Sequence, residues 1–140
     1  METPSHAELA CAEVWGGNGR IHRGVRIPGL NGAIVSEPCL SGRGGDVYYV
    51  SACSSGIFSR VYLADVAGHG EQVAELSAWL HRTLGRRINH HDTGRIFRYV
   101  NRHVLRRGYR ALTTAACFTY DARHGHLNTW SGIINIKNEK

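Results

Sequence analysis

A chain of 140 residues that is 42% hydrophobic and 20% charged has the size of one globular domain and enough apolar content for a core, which excludes wholesale disorder and a two-domain enzyme. No apolar run approaches the roughly 18–20 residues of a membrane span, and Met1–Ala10 carries Glu2 and Glu8 where a secretory leader would be basic and then apolar. The net charge of +6 favours an anionic partner, whether phosphate, nucleic acid or an acidic protein.

Up to about Cys39 the chain is rich in Gly and holds Pro4, Pro28 and Pro38. Residues 1–37 therefore read as an irregular N-terminal segment, with short extended pieces such as Gly32–Ser36, that packs on the domain that follows. From Asp46 to Cys53 the Val and Tyr residues predict a strand, Ser54-Ser55-Gly56 a turn, and Ser59–Ala64 a second strand, together an antiparallel hairpin. After Gly68-His69-Gly70, the spacing of Val73, Leu76, Ser77, Leu80 and Leu84 predicts an amphipathic helix from about Glu71 to Leu84, which Gly85 would end. Asp92 is the expected N-cap of a second helix. There Ile96, Val100 and Val104 share one face, with Phe97 beside them, while Arg95, Arg98, Arg102 and Arg106 line the other. Leu112–Tyr120 then reads as a strand, Asp121–Gly125 as a turn and His126–Trp130 as a returning strand. This order implies an α+β fold, antiparallel β-sheets with flanking α-helices.

Two further features concern composition. Cys11, Cys39, Cys53 and Cys117 form no CxxC or CxxH pair, so free thiols in a reducing, cytoplasmic setting are expected. The only lysines are Lys137 and Lys140, which gives residues 131–140 the look of an atypical tail after a core spanning 38–130.

Two acidic residues stand in glycine-flanked junctions beside strands: Asp46 in Gly44-Gly45-Asp46-Val47-Tyr48, and Asp65 in Asp65-Val66-Ala67-Gly68-His69-Gly70. Carboxylates on neighbouring strands, with a backbone carbonyl exposed by a glycine loop, can supply the oxygen ligands that a hard divalent cation requires. A helix start follows the second junction, so a metal-bridged phosphate is the natural ligand class. Paired positions at opposite ends of the hairpin would bring the two aspartates to roughly 5 Å at their Cα atoms.

These motifs resemble the PPM-type (protein phosphatase 2C-like) family in its bacterial SpoIIE branch, whose first motif reads Gly-Gly-Asp and whose second reads Asp-Val-Ser/Ala-Gly-His-Gly. Leu112-Thr113-Thr114-Ala115-Ala116-Cys117-Phe118, with Tyr120-Asp121 and Gly125-His126-Leu127, resembles that family's later strand and hairpin. The resemblance runs from about Pro38 to Leu127. It implies a metal-dependent protein serine/threonine phosphatase in which Asp46, Asp65 and the Val66 carbonyl ligate a Mn²⁺ or Mg²⁺ pair. An acidified water would attack phosphoserine or phosphothreonine on a protein, such as an anti-sigma factor antagonist. Arg43 and His69 are the candidate contacts to substrate phosphate.

Where the family continues with Asn-Ala-Gly-His-x-Pro and two more acidic motifs, this chain reads Trp130-Ser131-Gly132-Ile133-Ile134 and has no Asp after Asp121. An incomplete PPM-type sandwich is therefore expected, one that binds a cation weakly and hydrolyses phosphate esters slowly or not at all. The alternative is a non-catalytic module that binds an acidic protein or nucleic acid through the arginine-rich helix. Aromatic residues suited to base stacking are sparse there, and this disfavours nucleic acid. His90-His91-Asp92 reads as a solvated loop, and Ser36, Ser41 and Ser51 have no triad context.

Overall fold

The computed structural model describes residues 6–8, 14–38, 43–53, 55–68, 71–87, 92–107 and 112–134. The chain forms β1 (His6–Glu8), β2 (Val14–Gly19), β3 (Ile21–Ile27), β4 (Leu30–Ser36), β5 (Arg43–Ala52), β6 (Phe58–Val66), α1 (Glu71–Arg87), α2 (Thr93–Arg107), β7 (Thr113–Asp121) and β8 (His126–Ile134). The strands make a five-stranded antiparallel sheet in the order β2-β5-β6-β7-β8 and a smaller sheet in the order β1-β3-β4, in which only β1 and β3 run parallel. The fold is α+β.

The two faces of the large sheet have different partners. Val47 and Tyr49 from β5, Tyr62, Ala64 and Val66 from β6, and Ala115 and Cys117 from β7 point to the helices. They meet Val73, Leu76, Leu80 and Leu84 of α1 and Ile96, Phe97, Val100 and Val104 of α2. On the other face Val50, with Val61 beside it, meets Val25, Ile27, Leu30 and Ile34 of the small sheet. The layers thus run helices, large sheet, small sheet. Strand β5 is buried on both sides, which is why Val47-Tyr48-Tyr49-Val50 is a continuous apolar run rather than an alternating one.

The hairpin of β5 and β6 forms in the expected antiparallel register, from Val47 opposite Ala64 to Ala52 opposite Ser59. Asp92 caps α2: the Arg95 N–H donates to Asp92 Oδ1 at 2.9 Å. The helix buries Ile96, Phe97, Val100 and Val104 and leaves Arg95, Arg98, Arg102 and Arg106 exposed, as its pattern predicts. The turn between β7 and β8 is closed by Asp121, which accepts from the Arg123 N–H at 2.9 Å, and by Gly125 at φ 63°. Cys53 and Cys117 form no disulfide among the described residues, and Cys11 and Cys39 lie outside them.

Three expectations change. The N-terminal segment is not irregular: its residues form β2, an edge strand of the large sheet, and the β3–β4 hairpin of the small one. Pro28-Gly29, with Gly29 at φ 75°, has the residues and backbone of a tight turn between them. Gly29 also stands where a Cβ would come 2.2 Å from the Tyr120 ring, and Ser59 Oγ donates to the Pro28 carbonyl at 2.7 Å, so this turn fixes the small sheet onto the large one.

Gly85 does not end α1, which continues to Arg87. A Cβ there would lie 2.8 Å from the Tyr49 hydroxyl, and that hydroxyl bonds to the Gly85 backbone. The glycine serves close packing of helix on sheet. Burial pushes the Tyr49 phenol up to about 12, partly offset by that bond.

Residues 131–134 do not open a separate tail. They complete β8, with Ile134 opposite Thr113 and buried, while 135–140 lie outside the described residues.

Candidate functional site

A cleft of about 670 Å³ opens between the two sheets at the end of the β5–β6 hairpin remote from its turn. Its floor is the sheet face made by Tyr48 on β5, Leu63 on β6, Ala116 on β7 and Ile133 on β8, and Ile34, Val35 and Ser36 of β4 form the opposite wall. Asp46 and Asp65 both line it. The ladder between β5 and β6 stops at Val47 and Ala64, and one further step of the same register sets Asp46 across from Asp65. The alternation of strand side chains places both on the cleft face, because Val47, Ala64 and Val66 point to the helices.

The electrostatics agree with this closeness. The Asp46 carboxyl is raised above its ordinary value of 3.8, first because the cleft removes part of its water. The Asp65 charge adds to the rise, as does a side-chain hydrogen bond between the two carboxyls that favours the protonated form. The sign of the pH effect follows. A raised carboxyl contributes stability that is full below 3.8 and is lost as pH rises through its folded value. Cation binding at the pair requires ionised oxygens and strengthens over the same window. In a carboxyl-carbon NMR titration, Asp46 is expected to titrate above 3.8 and to move back down in Asp65→Asn. An Asp46 midpoint unchanged by that substitution would show that the two carboxyls are not coupled.

The remaining expected site residues are placed less simply. The Val66 carbonyl lies against Gly45, where a Cβ would come 2.5 Å from its oxygen; only a glycine allows this approach beside Asp46. Gly45 is held in turn by Ser77 of α1, whose Oγ donates to its carbonyl at 3.0 Å. Arg43 opens β5 with its backbone opposite Gly19. Neither the Arg43 side chain nor His69 falls within the described residues. His90 and His91 lie outside them too, and Asp92 is a helix cap.

Thr114, Ser36 and Ser131 also line the cleft and had not been singled out as ligand contacts. Thr114 is directly opposite Asp65 on β7 and is exposed. The strand alternation counted from Asp65 across an antiparallel neighbour is the signal that would have found it.

Two carboxylates set across from each other at the strand ends, with the Val66 carbonyl against neighbouring Gly45, suit one hard dication with water completing its shell. A second ion would need further ligands, and no group of three or more His, Cys, Asp or Glu side chains comes together among the described residues. No described helix is long and apolar enough to cross a membrane. No protein-family model, curated protein or solved structure matches the chain.

Proposed function

We propose that the Asp46–Asp65 cleft is the phosphoester-hydrolysing site of a metal-dependent phosphatase of the PPM type, SpoIIE-like, acting on phosphoserine or phosphothreonine in a protein partner. The observation that carries the reading is the meeting of these two carboxylates, from separate glycine-flanked motifs, on one wall of a cleft. Asp46 and Asp65 hold the cation, Mn²⁺ or Mg²⁺, and the neighbouring Val66 carbonyl is the third oxygen of the strand ends. When bound, such an ion supplies an acidified water and charge neutralisation for the phosphoryl group. The chain itself contributes position. Gly45 admits the Val66 carbonyl, Ser77 fixes Gly45, and the hydroxyls of Thr114 and Ser131 lie in the cleft where a phosphoryl oxygen can accept from them. Val35, Leu63 and Ile133, each exposed, give the cleft an apolar lining from its floor and its opposite wall.

The test is turnover of a chromogenic phosphate monoester by the purified 140-residue chain with Mn²⁺, compared with Asp65→Ala. Slow, manganese-dependent hydrolysis that disappears in the variant is expected, because the described ligands suffice for one ion rather than two. Absence of both turnover and manganese binding in the unsubstituted chain would defeat the proposal, and turnover that survives Asp65→Ala would place the activity elsewhere.

A further inference from the structure

A further cavity, of about 600 Å³, lies in the helical layer, on the other side of the large sheet from Asp46 and Asp65. Arg87 enters it from the last turn of α1; Asp92 caps α2, and Arg95, Arg98, Tyr99 and Arg102 come from the first three turns of that helix. Positions 95, 98 and 102 follow helical spacing, so three guanidinium groups share one stripe and the fourth reaches them from the neighbouring helix. Two of the four are oriented. The Arg87 guanidinium stands 3.9 Å over the Tyr99 ring, and Arg98 pairs with Asp92 at 3.5 Å. Arg95 and Arg102 form no ion pair among the described residues.

Among the described residues Asp92 is the single carboxylate beside four guanidinium groups, a surplus of three positive charges. Of these, Arg95 lies in the first turn of α2, where the backbone dipole has the same sign. Guanidinium forks engage phosphate oxygens in pairs, and several forks around one space select a ligand with several phosphates. The volume falls within the range of small-molecule sites, about 300–1,000 Å³. A nucleic acid strand fits less well: among the described residues Tyr99 is the one aromatic lining the cavity, and its ring already stacks with the Arg87 guanidinium and with His103.

We propose that this cavity binds a compact oligophosphate, a small ligand carrying three or more phosphate groups. The site is independent of the cation cleft, so either can fail alone. The experiment titrates inorganic tripolyphosphate calorimetrically into the full chain at physiological salt with a chelator present. Saturable one-to-one binding is expected, weakened at least about tenfold by Arg95→Gln with Arg102→Gln. Arg82→Gln with Arg106→Gln removes the same charge from exposed positions outside the cavity and is expected to change affinity less than about twofold. Asp65→Ala should leave the affinity unaltered. Circular dichroism of both double variants verifies that these exposed substitutions leave the fold intact.

Absence of binding, or equal weakening by the two double variants, would overturn the proposal, the latter by showing diffuse attraction to a basic surface. Orthophosphate binding as tightly as tripolyphosphate would overturn the requirement for several phosphates. Tighter binding of a single-stranded RNA of about 20 nucleotides, lost equally in both double variants, would overturn it in favour of an extended nucleic-acid face.

Discussion

Asp65→Ala is expected to abolish the stabilisation that Mn²⁺ gives the native chain while raising stability in the presence of a chelator. A cation that binds only the folded state adds about 2.7 kcal/mol at one hundred times its dissociation constant. For a domain of this size that is roughly 10 °C of melting temperature. The cation-free protein keeps two like charges face to face in a cleft; the Asp46 carboxyl is raised first by loss of water and then by the Asp65 charge. Removing Asp65 relieves the repulsion and removes a ligand at once, so the two melting curves should move in opposite directions. Thermal melts of the chain and the variant, each with Mn²⁺ and with chelator, give the answer. Equal manganese stabilisation of both would locate the cation away from Asp65, and a variant less stable in chelator would contradict the repulsion.

Phe97→Ala is expected to cost about 3–5 kcal/mol of folding stability, the range for deleting a buried aromatic side chain. Phe97 is 3% exposed, stacks on Trp130 of β8 with ring centroids 3.7 Å apart and 11° between planes, and lies 6.1 Å from Tyr62 of β6. It therefore joins α2 to a central and an edge strand of the large sheet, and no neighbouring side chain can fill its volume without losing its own contacts. Urea denaturation followed by Trp fluorescence and by circular dichroism measures the loss. A change below about 1 kcal/mol would mean that α2 is not docked on β8 through this stack.

The middle of the chain was legible because its residues speak locally. The run from Val47 to Val50, the spacing of Leu76, Leu80 and Leu84, and the cap at Asp92 each carry their own signal, and the hairpin register then brought Asp46 to Asp65. In the first 37 residues glycine and proline read locally as breakers, yet those among the described residues stand within and between strands. Pro28-Gly29 is the turn of a hairpin, and the glycines of β2 belong to a strand that pairs with β5, a partner distant in sequence. Gly85 shows the same limit: whether a glycine stops a helix or admits a neighbour depends on Tyr49, across the fold. In the site, the aspartates were found by motif. Thr114 and Ser131 depend on which strands adjoin, and the β6–β7 pairing that sets β7 and β8 beside Asp65 crosses both helices.

Strand β5, enclosed by the helices on one side, the small sheet on the other and a bonded neighbour along each edge, has no route to open by itself. Its amides between Val47 and Val50 are expected to exchange with solvent deuterium only when the whole domain unfolds, whereas those of β8, which borders a single strand, open through local fluctuations. Two of the pairings that build the sheet join distant parts of the chain, β2 to β5 and β6 to β7 across two helices, whereas β5–β6 and β7–β8 are local hairpins. Such distant closures make folding slow, whereas the pairing that sets Asp46 across from Asp65 is the local β5–β6 hairpin and needs neither of them.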